Sequence, residues 1–137
     1  MSSRNDVEAL VRSIYALRRK GDIEGIMASF TPNARFRMAG HGGLAPMTTP
    51  VEGSAQLRGL MQQLVSAWDW SDFDIRSVLV DGNRVAVYSA GTMYFGPQRV
   101  PVETELFDLL TLEGDKIADF VQFCDTHAAA RVMGMAA

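Results

Sequence analysis

The sequence predicts one α+β domain in which helices pack on the concave face of a curved antiparallel sheet. Apolar residues recur at helical spacing over most of the chain before Trp68, and four strand-like runs joined by short turns follow. Short turns connect only antiparallel strands, so the helices must collect on one face. Residues 1–137 fit a single domain, because two halves would each approach the size at which a core stabilises poorly.

The N-terminal part predicts two helices. We expect Asn5 to cap the first helix, with Glu8 completing a capping box, and Gly21 to end it. We expect Asp22 to cap a shorter helix, which Pro32 prevents from continuing. The buried stripe of the first helix would consist of Val7, Leu10, Val11, Ile14 and Leu17.

The middle of the chain predicts a strand, a long loop and a third helix. Residues 35–38 alternate as a short strand, and residues 40–53 contain glycines and two prolines, Pro46 and Pro50. Long loops in compact domains often act as lids over a site. Ser54 is expected to cap the third helix, which reaches Trp68.

The C-terminal part predicts four consecutive strands and a short helix. The turns fall at residues 81–83, 96–97 and 114–115, and Asp125 is expected to cap a helix that reaches Met133. The predicted strands are residues 73–80, Arg84–Phe95, residues 102–112 and Lys116–Cys124.

Composition excludes several classes of function. The net charge is −3 and residues 18–20 form the longest basic run, which argues against nucleic acid as a partner. The single cysteine, Cys124, cannot form an intramolecular disulfide, and no base lies near it in sequence to activate it. No apolar run approaches the ~20 residues of a membrane span, so we expect a cytoplasmic protein without membrane contact. No metal-ligand or cofactor motif is present, so we expect neither group.

Three segments resemble nuclear transport factor two-like domains. GDIEGIMASF at residues 21–30, followed by TPNA, resembles their helix-to-strand passage, and GDKI at 114–117 and FCDT at 123–126 resemble their last hairpin. The chain is most similar to the ketosteroid isomerase-related and SnoaL-like branch. This resemblance implies a cone-shaped fold, the cystatin-like α+β roll, with a deep apolar pocket and a homodimer packed through the sheet.

The isomerase resemblance can be followed residue by residue. Ketosteroid isomerases use an Asp base and an oxyanion hole made of a Tyr and a protonated Asp. The base position falls here on Met38, whose thioether cannot take a proton from carbon. The tyrosine position falls on Ile14, with Tyr15 one residue along, and the protonated-acid position falls on Asp108. We therefore expect the ketosteroid mechanism to be absent.

Asp108 is the most informative candidate residue. It lies within an apolar run, and alternation places it on the face of Leu106 and Leu110, which should be the core face. A carboxylate there must pair, take up a proton or lose several kcal/mol to desolvation. Asp108 is then a pocket acid with a raised pKa, unless it lies on the outer face or pairs with an arginine.

Two further residues complete the predicted catalytic set. Gln122 occupies an inward position that carries an Asp in limonene epoxide hydrolase-like members, and an amide can orient a ligand but not act as a base. His41 lies in the glycine-rich loop and can titrate near neutral pH, so it is the candidate base. Alternatively, Gln122 is a buried amide satisfied by the backbone, and His41 is simply exposed.

These residues predict a protein that encloses a small hydrophobic ligand. The leading interpretation is a SnoaL-like enzyme that isomerises, cyclises or hydrates a metabolite by proton transfer, and the alternative is a non-catalytic dimeric module that binds or senses the ligand. In a third interpretation the cone is filled and purely structural, which a cavity below ~300 Å³ would favour. The predicted ligand-binding wall comprises Ile14, Tyr15, Phe36, Met38, Met61, Trp68, Tyr88 and Phe120.

Overall fold

The computed structural model describes residues 3–45 and 47–134. Its helices are α1 (Arg4–Lys20), α2 (Ile23–Ala28), α3 (Ser54–Ala67) and α4 (Thr126–Val132), with a 3₁₀ turn at Gly42–Leu44. Its strands are β1 (Phe30–Met38), β2 (Val51–Glu52), β3 (Trp68–Asp81), β4 (Arg84–Phe95), β5 (Val100–Glu113) and β6 (Lys116–Cys124).

The six strands form one curved sheet that does not close into a barrel. Their order is β2-β1-β6-β5-β4-β3, and β3 to β6 pair antiparallel in succession. These findings confirm the predicted α+β fold class. β1 pairs in parallel with β6, which places Phe36 beside Phe120. Short turns constrain only strands that are consecutive in sequence, so they did not predict this pair.

Strand boundaries agree with the predictions at β4 and β6 and differ elsewhere. β3 begins at Trp68, directly after α3, and not at residue 73. β1 begins at Phe30 and includes Pro32. The ladder between β1 and β6 is irregular between Phe30 and Arg35, so no ladder bond requires the N–H that Pro32 lacks.

The first helix begins earlier than the capping pattern predicted. Ser3 is the N-cap, and its hydroxyl accepts a hydrogen bond from the backbone N–H of Asp6, whose side chain accepts in return from the Ser3 N–H. The predicted cap Asn5 therefore lies inside α1. Gly21 ends the helix in the left-handed conformation, at φ 72°, as predicted.

The caps of the other helices follow the same chemistry. Asp22 and Asp125 cap α2 and α4 as predicted, accepting from the N–H groups of Gly25 and Ala128. The predicted cap Ser54 is instead the first residue of α3, and its hydroxyl donates to the carbonyl of Pro32.

The predicted loop at residues 40–53 has structure of its own. It contains the 3₁₀ turn, and β2 pairs antiparallel with β1 through Arg35 and Glu52. Pro46, a predicted turn residue of this loop, lies outside the described residues. No helix in the described ranges is long and apolar enough to cross a bilayer.

The core lies between the helices and the inner face of the sheet. Alternate residues of β4, among them Val85 and Val87, are fully buried, and α1 packs across β3. Gly91 bends β4 where its φ is 142°, and a Cβ there would lie 2.4 Å from the carbonyl oxygen of Asp72. Only glycine therefore fits at this bend.

Candidate functional site

A cavity of about 270 Å³ lies between the helices and the sheet. Ile14 and Tyr15 from α1, and Phe36 and Met38 from β1, lie in its wall. Met61, Trp68 and Phe120 also lie in this wall. The surrounding surface is therefore largely apolar, which suits a hydrophobic molecule.

Two predicted site residues lie away from the cavity. Tyr88 is on the opposite face of the sheet because its neighbours Val87 and Ser89 face inward, and its hydroxyl donates to Glu105. His41 is exposed in the segment after β1 and does not belong to the cavity wall. The structure therefore does not bring His41 together with the predicted acid.

Asp108 faces the interior of the protein, on the side of the sheet that the alternation predicted. Its side chain is 0% exposed, and its Oδ2 accepts a hydrogen bond of 2.5 Å from the hydroxyl of Tyr15. Oδ1 has no hydrogen-bond partner among the described residues. A buried carboxyl with one unpartnered oxygen is costly when it is ionised, because no hydrogen bond replaces the lost hydration of that oxygen.

Burial sets the acidity of this pair. Desolvation raises the pKa of Asp108 to about 7, against the opposing effects of the Tyr15 hydroxyl and the Gln122 amide. Desolvation, followed by the charge of Asp108, raises the pKa of Tyr15 well above its ordinary value. The carboxyl group of Asp108 is thus the one that exchanges its proton near neutral pH.

Tyr15 and Gln122 separate Asp108 from the cavity. Both lie in the cavity wall, whereas Asp108 does not. Gln122 is the direct cross-strand neighbour of Asp108 in the β5–β6 ladder. Asp108 is therefore connected to the cavity through Tyr15 and Gln122 and does not line it.

The phenol expected at Ile14 is present one residue later. Ile14 and Tyr15 both line the cavity, but Tyr15 carries the hydroxyl that binds Asp108. The family pattern, followed position by position, had suggested that this phenol was lost. A signal in the sequence was the i, i+4 spacing of Tyr15 from Val11, which places both on the buried side of α1.

Arg18 is a cavity residue that sequence reasoning missed. The basic residues at the end of α1 suggested only an interaction with the helix dipole, whereas the Arg18 side chain enters the cavity wall. Its Nη2 donates to the carbonyls of Leu64, at 3.2 Å, and Trp68, at 3.1 Å, and its guanidinium lies 4.3 Å from the ring centre of Trp70. Desolvation lowers the pKa of Arg18 to about 10, against the opposing charge of Asp69, so Arg18 stays charged at neutral pH.

Ser89 is a buried polar residue that the sequence did not single out. It is on the inner face of β4, and its hydroxyl oxygen has no hydrogen-bond partner among the described residues. Its serine type gave no signal, because serine occurs on either face of a strand.

The base position of the ketosteroid pattern carries no base. Met38 lies in the cavity wall, 3.5 Å from the sulfur of Cys124. Burial raises the pKa of Cys124 to about 11, so Cys124 is a neutral thiol at pH 7.

Asp125 is the one carboxylate in the described part of the wall, and its Oδ1 caps α4. No group of three metal-ligating side chains occurs within the described ranges.

The chain belongs to the SnoaL-like domain family, whose model matches residues 11–120. This family falls within the nuclear transport factor two-like superfamily, as the sequence resemblance suggested. No curated protein sequence matched the chain significantly.

Solved structures share this fold at low sequence identity. A Bacillus subtilis protein named provisionally as an isomerase has a TM-score of 0.84 at 14% identity, covering 99% of this chain and 98% of that one. TerC, crystallised with polyporic acid, has a TM-score of 0.78 at 18% identity, covering 93% and 98%. A Burkholderia xenovorans LB400 protein described as NTF2-like has a TM-score of 0.74 at 20% identity, covering 94% and 96%. At these identities the likeness establishes the fold alone.

Proposed function

We propose that this protein is an enzyme that isomerises, cyclises or hydrates a small hydrophobic metabolite by proton transfer. Tyr15 is the acid that contacts the substrate, and Asp108 supplies its proton. The observation that carries this proposal is the buried hydrogen bond between them at the wall of an apolar cavity. Two structural neighbours are named provisionally as isomerases, which agrees with this class of reaction.

The protonation state of Asp108 decides what Tyr15 offers to a ligand. When Asp108 is ionised, the hydroxyl of Tyr15 donates to it and is not available to the cavity. When Asp108 is protonated, its carboxyl donates to the phenol oxygen, and the Tyr15 O–H turns toward a ligand oxygen. A pKa of about 7 populates both states at neutral pH, as general acid catalysis requires.

In this scheme Asp125 is the proton acceptor, a role that was predicted for His41 from the sequence. Its Oδ1 is engaged in capping α4, which leaves Oδ2 to accept a proton from substrate carbon. Gln122 orients the substrate, since its amide carries both a donor and an acceptor at the wall. Asp125→Asn tests the base cleanly, because asparagine caps a helix as well as aspartate does.

Proton transfer can be measured without knowing the substrate. The protein is incubated in D₂O with a panel of cyclic ketones, aryl ketones and polyketide-like diketones, and NMR records deuterium entering the α-carbon. We expect catalysed exchange for at least one ketone, reduced about 100-fold or more by Tyr15→Phe, within the range for general acid catalysis. Tyr88→Phe is the matched control, because it removes a tyrosine–carboxylate hydrogen bond on the outer face. Equal exchange by Tyr15→Phe and wild-type protein would disprove the assignment.

A ligand-binding module without catalysis is the second candidate. The observation that favours it is Met38, a side chain that cannot accept a proton, at the family's base position in the cavity wall. Native mass spectrometry of the purified protein, showing a retained small molecule with no exchange or conversion of any panel compound, would favour this function.

The cavity volume of about 270 Å³ is just below the ~300 Å³ lower end of ligand sites. By volume alone, it favours the interpretation of a filled, purely structural cone. The polar groups of Tyr15, Arg18 and Gln122 in the wall argue against a purely structural cone.

We also propose that the outer face of the sheet binds a second copy of the chain. Phe107 and Phe123 are directly opposite each other in the β5–β6 ladder and are 44% and 46% exposed. Adjacent exposed aromatic rings on a sheet face are typical of protein interfaces. A twofold axis through this face would bury both rings in each copy.

A further inference from the structure

We propose that the cavity selects apolar molecules that carry one anionic oxygen group, a carboxylate or phenolate, and that Arg18 binds this group. The inference rests on the proposed function, because it names the substrate class of the same cavity. Three features carry it: the geometry of Arg18, the charges around it and the surface outside it.

The guanidinium of Arg18 is held in place, but some of its N–H groups have no hydrogen-bond acceptor among the described residues. Both of its hydrogen bonds in the described structure come from Nη2, to the carbonyls of Leu64 and Trp68, and the Trp70 ring supports the guanidinium plane. Nε and Nη1 donate to no described residue. A guanidinium fixed at one nitrogen keeps its remaining N–H groups in a rigid fork, which matches the two oxygens of a carboxylate.

The charge of Arg18 lacks a partner within ion-pair distance. None of the ion pairs among residues 3–45 and 47–134 includes it. Asp69 is the acid that affects it, and that carboxylate pairs with Arg99. A half-buried cation without a counterion is unfavourable, and an anionic ligand group would supply the missing charge.

The surface outside Arg18 is also basic. Arg18 lies at the boundary between the apolar cavity and a second depression, whose wall contains three further basic residues and one carboxylate, namely Arg19, Lys20, Arg99 and Asp69. Arg19 and Arg99 pair with single aspartates, while Lys20 has no ion pair among the described residues. A concave, positively charged surface attracts anions toward its deepest part. This depression would therefore favour the entry of an anionic ligand from this side.

A role in capping the C-terminal end of α3 does not by itself explain the position and charge of Arg18. The carbonyl of Leu64 already accepts a hydrogen bond from the Trp68 N–H, and Arg18 adds a second. A purely structural cap needs the donor atoms at Nη2 but not a positive charge that faces the cavity. Variants that retain a donor and remove the charge can therefore separate the two roles.

The test uses matched ligands that differ only in charge. The probes are the ω-phenylalkanoates from phenylacetate to 6-phenylhexanoate and their primary amides, with binding measured at pH 7 by calorimetry. Trp68 and Trp70 are the only tryptophans and both line the cavity, so their fluorescence reports binding there. We expect at least one acid to bind wild-type protein ten-fold or more tightly than its amide. Arg18→Gln, which retains an N–H donor, should bring this ratio close to one.

Matched variants make every outcome decisive. Arg58→Gln removes an exposed arginine paired with Glu24 and should leave the ratio unchanged. Arg18→Lys keeps the charge without the fork and should retain part of the preference. Equal binding of acids and amides by the wild type would overturn this inference and leave the proton-transfer function standing. A preference that survives in Arg18→Gln would also overturn it. Failure of every probe to bind would overturn this inference, while the D₂O exchange assay decides the proton-transfer function separately.

Discussion

The hydroxyl of Tyr15 on α1 donates to Oδ2 of Asp108 on β5 over 2.5 Å, across 93 positions of sequence. This bond is fully buried and joins the first helix to the centre of the sheet. It places a titratable group where water cannot stabilise its charge, so the state of one proton affects both the fold and the cavity.

Asp108 should make the folded state less stable as the pH rises. Below about pH 4 the carboxyl is protonated in both the folded and unfolded states. Between about pH 4 and pH 7 only the unfolded state releases the proton, because the folded pKa is about 7 and the unfolded value is about 3.9. The free energy of unfolding should therefore fall by about 4 kcal/mol from this group and level off above pH 7.

Urea denaturation from pH 4 to pH 8 measures this effect. Wild type is compared with Asp108→Asn, because the difference cancels the contributions of all other groups. The stability advantage of wild type should shrink as the pH rises through this window. A constant difference would show that Asp108 has an ordinary pKa.

Gly91→Ala should destabilise the protein by about 2–4 kcal/mol, because a Cβ would collide with the backbone of Asp72 and φ is 142°. Gly59→Ala is the control. Gly59 lies inside α3 with open space where a Cβ would project, so alanine there should stabilise by about 0.5–1 kcal/mol. Thermal and urea unfolding should give changes of opposite sign for the two variants.

Cys124 should react slowly with iodoacetamide in the folded protein. A pKa of about 11 leaves about 0.1% thiolate at pH 8, compared with about a quarter for an ordinary thiol of pKa ~8.5. We expect alkylation to be at least 100-fold slower than in urea-unfolded protein, measured by mass spectrometry at this single cysteine. Similar rates in both states would refute the burial of the thiol.

Phe107→Lys should weaken self-association if a second copy binds the outer face of the sheet. Sedimentation equilibrium should show a dimer for wild type and mainly monomer for Phe107→Lys. Lys116→Glu, a charge change at the exposed end of β6, should leave the mass unchanged. A wild-type protein that remains monomeric at high micromolar concentration contradicts the proposed dimer.

Local pattern was sufficient for most of the fold. The turn at Gly82 and Asn83 and the alternation of β4 and β6 placed those strands correctly, because hairpin register depends on nearby residues. The helix cap at Ser3 was missed because two candidate caps lie close together in sequence. The parallel pairing of β1 with β6 depends on tertiary packing, for which no local signal exists.

The sequence predicted several individual residues of the candidate site but not the contacts between them. Alternation placed Asp108 on the inner face, but only the packing of α1 shows that Tyr15 lies against it. From the sequence, Arg18 was interpreted as a solvated residue at the end of α1. The direction of its side chain depends on the carbonyl of Leu64 near the C-terminal end of α3, which is distant in sequence. His41 was chosen for its chemistry, and chemistry alone does not place a loop residue.

The parallel pairing of β1 with β6 has a consequence for biosynthesis. β1 ends at Met38 and β6 begins at Lys116, so a nascent chain emerging from the ribosome must synthesise α3 and strands β2 to β5 before β1 can pair with β6. Until then the ring of Phe36, which packs against Phe120 of β6, stays accessible to water. We expect slow folding, dominated by contacts distant in sequence, and recognition of the unfinished chain by chaperones.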